Sequence, residues 1–63
     1  MKLKINDVIK EVELTNTGIV NSHQYIYILE AGQRAARHRL PSAWLLGDDK
    51  RRVFTNGNWY AKV

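Results

Sequence analysis

Seven cations and two carboxylates fall in residues 33–63, a net +5, whereas residues 1–32 hold three cations and four carboxylates, a net −1. Five of the seven are arginines: Arg34, Arg37, Arg39, Arg51 and Arg52. The guanidinium is a planar fork suited to phosphate and to base edges. The cations form two groups, Arg34, Arg37 and Arg39 around His38, and Lys50-Arg51-Arg52 with Lys62 near the C-terminus. Such asymmetry points to a polyanion partner. The plain alternative is a solvated basic surface that serves solubility.

Catalytic chemistry finds little material. There is no cysteine, so thiolate nucleophiles, disulfides and thiolate zinc sites are excluded. His23 and His38 show no metal-ligand spacing, and Ser22-His23 are sequence neighbours, a poor geometry for a nucleophile and its base. Asp48-Asp49 lie in a turn-forming stretch, where aspartate commonly bonds the backbone. No glycine-rich phosphate loop occurs. The expectation is a binding protein, not an enzyme, with no cofactor, metal or small-molecule substrate.

The elements that must position the cations are clearest at the C-terminus. AWLL, RRVFT and NWYAKV read as short strands, separated by GDDK and by Asn56-Gly57. A two-residue Asn-Gly loop pairs Thr55 with Asn58, Phe54 with Trp59 and Val53 with Tyr60. Alternation then puts Phe54, Trp59, Ala61 and Val63 on one face with Arg52, and Arg51, Val53, Thr55, Asn58, Tyr60 and Lys62 on the other. The first set reads as core, although Arg52 fits it badly. Arg51, Tyr60 and Lys62, with Lys50, read as the contact face.

Upstream, Ile5, Val8, Ile9 and Val12 follow helical spacing, with Asn6 placed to cap. The spacing favours a helix there over a strand. TNTG (15–18) reads as a turn with Gly18 at positive φ. In IVNSHQYIYILEAG, Asn21-Ser22 suits a cap and Glu30-Ala31-Gly32 a helix end, whereas Tyr25 to Leu29 has strand propensity. Helix is held only slightly ahead of strand. Residues 33–40 suit a short helix carrying Arg34, Arg37 and His38 on one side, or an extended basic loop.

Helix, turn, second helix and basic hairpin is the layout of an α+β winged helix-turn-helix. Asn21, Ser22, His23, Gln24 and Tyr27 would read base edges in the major groove of double-stranded DNA. The hairpin would lie on the backbone as a wing. The run from Asp7 to Gly32, followed by LPSAWLLGDDKRRVF, resembles the small phage excisionases and related prophage regulators over residues 7–54. That resemblance implies DNA bending at attachment sites and contact with an integrase. It implies DNA contact by Asn21 to Gln24 and by Lys50 to Arg52. Two other readings stay open. One is a mostly β protein-interaction or inhibitor module of the kind mobile elements encode, with the YIYIL run (Tyr25 to Leu29), Trp44, Trp59 and Tyr60 as anchors, a reading that gains if Tyr25 to Glu30 is a strand. The other is an SH3-like barrel that binds nucleic acid through its sheet, stacking a base on Tyr60 between Arg51 and Lys62.

Sixty-three residues allow one small domain, 1–63, whose core is marginal and which gains from self-association or a bound partner. MKLKINDV lacks the apolar core of a secretion signal and no run reaches membrane-spanning length, so a cytoplasmic location with no membrane partner is expected.

Overall fold

Three Asn-led dipeptides organise the backbone. Asn6-Asp7, Asn21-Ser22 and Asn56-Gly57 all take positive φ at both residues, between 50° and 78°. Consecutive positive φ values are the signature of the two-residue hairpin turn whose twist matches paired strands. Each turn closes a hairpin, with Ile5 opposite Val8, Val20 opposite His23 and Thr55 opposite Asn58.

The computed structural model describes residues 1–32 and 37–63. They form β1 (Lys2–Ile5), β2 (Val8–Val20), β3 (His23–Glu30), β4 (Arg37–Pro41), α1 (Ser42–Leu46), β5 (Val53–Thr55) and β6 (Asn58–Lys62). The strands make one sheet in the order β4-β3-β2-β1-β6-β5, antiparallel at every step.

β2 serves both halves of the sheet. Its first residues pair with β1 through Glu11, and from Val12 onward it pairs with β3. The register shifts between Leu14 and Asn16, a bulge that bends the strand. The sheet curls until its two ends meet. Asn56 Nδ2, in the β5–β6 turn, donates to the Arg39 carbonyl of β4 at 2.8 Å, and the Tyr60 hydroxyl lies 2.9 Å from His38 Nδ1.

The enclosed inner face holds Leu3, Ile5, Val12, Ile26, Ile28, Leu40 and Tyr60. α1 completes this core with Trp44 and Leu45. The Trp44 indole donates to the Arg51 carbonyl at 2.6 Å, which satisfies its buried N–H and anchors the loop that leads to β5. Gly47 ends the helix, where a Cβ would lie 2.5 Å from the Ala43 carbonyl oxygen.

The winged helix-turn-helix is therefore overturned: the fold is mostly β, with a single short helix among the described residues. The helix expected from Ile5 to Val12 is a hairpin, in which Ile5 and Val12 turn inward while Val8 and Ile9 are exposed. Its 3–4 spacing arises because the chain reverses at Asn6-Asp7. The second expected helix is β3, where the propensity of the Tyr25–Leu29 run prevails over the capping signals. The 15–18 turn lies inside β2, and Gly18 is not among the positive-φ glycines. Of the short helix at 33–40, residues 33–36 lie outside the described residues and Arg37–Pro41 is strand. The AWLL segment expected as a strand is α1, entered directly from Pro41. The fold implied by the excisionase resemblance is thus not the one this chain adopts.

Candidate functional site

The closing hairpin has the expected register and the opposite facing. Val53 pairs with Tyr60, Phe54 with Trp59 and Thr55 with Asn58. Yet Tyr60 is fully buried, while Trp59 is 46% and Phe54 60% exposed. The cause is the third strand. β6 also pairs with β1, setting Tyr60 opposite Ile5 and Ala61 opposite Lys4. Ile5 and Leu3 belong to the core, so Tyr60 follows them inward and Trp59 and Ala61 point out. The proposed base-stacking role of Tyr60 is excluded by this burial. Its hydroxyl meets His38 and accepts from Asn58 Nδ2 at 3.4 Å.

Arg52 now has an explanation. It lies on the outside with Trp59, its guanidinium carbon 4.9 Å from the centre of the indole ring. The Phe54 and Trp59 rings sit 5.1 Å apart at 51°. Across the outer surface toward β1 and β2 follow Ala61, Lys4 opposite it, and Ile9 opposite Lys4. Ile9 is exposed. The surface is thus an aromatic pair bordered by cations and one aliphatic side chain. Asn6 ties it to the scaffold, donating to Asn58 Oδ1 at 2.9 Å while its own Oδ1 accepts the Trp59 N–H at 3.1 Å.

The other expected contact residues separate. Arg51 is engaged by Asp49: Nη2 to Oδ2 is 3.0 Å and the Arg51 backbone N–H donates to Oδ1 at 2.9 Å. These bonds hold the Asp49 carboxyl below the usual carboxylate range and push the Arg51 guanidinium up. Lys62 sits on the core side of β6, its ammonium bonded to the Gly47 carbonyl and 5.3 Å from the centre of the Trp44 ring. The β5–β6 pairing ends at Val53 and Tyr60, so Arg51 and Lys62 lie beyond its paired residues, and on its other side Lys62 stands opposite Leu3 of β1. Lys50 is exposed in the loop before β5.

The five residues expected to read base edges are not on a helix. Asn21 and Ser22 form the β2–β3 turn, and His23 and Gln24 open β3. Ser22, His23 and Gln24 border an open cleft of about 690 Å³, whose other wall is Pro41 to Ala43. Tyr27 faces outward from β3, opposite Arg39 of β4, and Arg37 stands opposite Leu29. Arg34 lies outside the described residues. His38 points inward, away from Arg37 and Arg39, with Nε2 3.7 Å from Glu30 Oε1; Lys10 Nζ reaches the same oxygen at 3.4 Å.

The winged-helix reading takes Phe54 and Trp59 as scaffold, whereas the interaction-module reading names Trp59 among its anchors; Lys4 and Ile9 were not expected at a contact surface. The one sequence signal that could have found this face was Arg52. That signal alone does not decide the facing, because exchanging the sides places Lys62 on the core side of β6, where the structure has it.

Among the described residues, no three His, Asp or Glu side chains come close enough to hold a metal ion, and no helix is long and apolar enough to cross a membrane. No known family model, curated protein or solved structure matches this chain.

Proposed function

We propose that this chain is a small β module that binds single-stranded nucleic acid on the outer face of β1, β6 and β5. Bases stack on Trp59 and Phe54, and Arg52 and Lys4 take the backbone phosphates. The observation that carries this reading is the exposed Phe54–Trp59 pair with Arg52 over the indole. Fully burying one such side chain would be worth about 1.5–3 kcal/mol. A 63-residue chain with a small core leaves both outside. Aromatic platforms beside cations are the means by which single-strand binders hold any base sequence. Readout of a duplex groove by a helix at residues 21–31 has lost its structural basis, because those residues are turn and strand.

A second reading is the mostly β interaction module. It is supported by β2, whose residues 13–20 extend beyond β1 and, among the described residues, have no strand on the side away from β3. An open edge of this kind can accept an added strand from another protein.

Fluorescence anisotropy with labelled oligo(dT), oligo(U) and a random duplex at two salt concentrations separates the readings. Tighter binding of a single strand than of the duplex supports the first. Absence of binding to every oligonucleotide at low salt removes it and leaves the second.

A further inference from the structure

The outer face of β3 and β4 carries a second set of aromatic and cationic residues. Along β3, Ile26 and Ile28 are buried, so Tyr25, Tyr27 and Leu29 turn outward, each half-buried. Arg39 stands opposite Tyr27 and also reaches Tyr25, its guanidinium carbon 5.6 Å from that ring centre. Arg37 continues the row opposite Leu29. Among the described residues, no carboxylate pairs with Arg37 or Arg39.

Gly18 on β2 shapes this surface. Its φ is not in the left-handed region, so the backbone does not require glycine there. The space does. A Cβ at Gly18 would stand 3.1 Å from Tyr27 Cε2 and 3.4 Å from its hydroxyl. Tyr27 therefore lies across β2 over a position with no side chain. Covering a strand glycine with an aromatic ring is a known stabilising device. That device accounts for Tyr27 but not for Tyr25 with Arg39 over it, nor for Arg37.

The two aromatic surfaces meet at the seam of the curled sheet. The Asn56 bond to the Arg39 carbonyl joins the hairpin that bears Phe54 and Trp59 to the residue whose side chain covers Tyr25. With about 3.3 Å per strand residue and about 4.8 Å between strands, the surfaces lie on the order of 15 Å apart. Beyond Tyr25 the outer face opens into the cleft that it lines together with His23 and Gln24.

We propose that Tyr25, Tyr27, Arg37 and Arg39 form a second base-stacking and phosphate-binding platform, so that one nucleic-acid strand crosses the Asn56–Arg39 seam and engages both surfaces. This rests on the single-strand reading above. A site spanning both surfaces discriminates by length, and single-strand-binding OB folds occupy about 4 to 16 nucleotides each. The test is the affinity of the full chain for dT4 and dT12 in wild type, Tyr25→Leu, Arg39→Gln and Trp59→Ala. Wild type should prefer dT12. Tyr25→Leu should weaken dT12 at least about fivefold, the loss of one stacked base. Arg39→Gln should weaken it through the loss of one phosphate contact and with a shallower salt slope. Both should erode the preference for dT12. Trp59→Ala should weaken both oligomers. Arg39→Gln changes an exposed side chain, so it keeps the test valid if Tyr25→Leu folds poorly. If wild type binds and both variants hold dT12 as wild type does, the second platform is wrong and the first stands. If wild type binds neither oligomer, both are overturned.

Discussion

Tyr60 and Trp59 are adjacent in sequence and face opposite environments. Tyr60 is enclosed with Leu3 and Ile5 and shares a hydrogen bond with His38, whereas Trp59 has Phe54 and Arg52 for neighbours and solvent beyond them. Tyr60→Ala should therefore cost about 3–5 kcal/mol, the range for large-to-small changes at buried aromatics. Tyr60→Phe should cost about 1 kcal/mol, since only the hydroxyl's bonds are lost. Trp59→Ala should stay within about 1 kcal/mol of wild type in urea melts, as exposed positions do. The same variant should lose single-strand affinity. Pairing within the hairpin was legible in the sequence, because Asn-Gly dictates loop length and hence register. Facing was not, because an isolated pair of strands is nearly symmetric in its apolar content. Val53 and Tyr60 make one plausible core side, Phe54 and Trp59 the other. Only β1 on the far side of β6 decides between them, and that contact spans more than fifty residues of sequence.

At the scale of elements, the turns carry the fold. Asn6-Asp7 and Asn21-Ser22 do the work that Asn56-Gly57 advertises. Asn and Ser are equally good at capping a helix, so the first two dipeptides read as helix starts. Local chemistry does not separate the two uses; strand pairing on both sides does. Ser22 holds a φ of 67° without being glycine. Ser22→Gly should relieve that strain and raise stability by about 1 kcal/mol, and Ser22→Val should lower it by at least as much, both read from thermal melts. The α1 terminus makes the opposite demand. Gly47→Ala would drive a methyl against the Ala43 carbonyl, with an expected loss of about 1–3 kcal/mol in chemical denaturation. The strand character of Tyr25 to Leu29 was visible in its composition. The helix at Ser42–Leu46 was not, because Ala-Trp-Leu-Leu suits either state and what selects helix is the packing of Trp44 and Leu45 under the curled sheet.

For the whole molecule, the basic half of the sequence becomes a distribution over the outer surface, with some cations already engaged. Arg51 serves Asp49 and Lys62 serves Gly47, while Lys4, Arg37, Arg39 and Arg52 face outward. Neutralising two to four phosphates on a single strand gives a log–log salt slope of about −1.4 to −2.8, which a salt titration measures. Two exposed carboxyls are held below their usual range, Glu11 by the N-terminal ammonium and Asp49 by Arg51. A depressed folded-state pKa adds stability that is present above the unfolded value and lost as pH falls through the folded one. Thermal midpoints should thus decline on acidification through and below the carboxylate range. Asp49→Asn should reduce that decline without abolishing it, because Glu11 remains. Charge asymmetry was legible from composition alone. Which cations stay available was not, since their partners lie in the turn at Asp49 and at the end of α1.

Stacking of bases on the β5–β6 hairpin depends on the outward facing of Trp59. Its most direct test is a titration of wild type and Trp59→Ala with dT12 at low salt, alongside a urea melt of each. Single-strand binding by this face requires that wild type binds, and that Trp59→Ala remains folded with affinity reduced at least about fivefold, the effect of losing one stacked base. A folded Trp59→Ala that binds as tightly as wild type, or a wild type that does not bind, would contradict it.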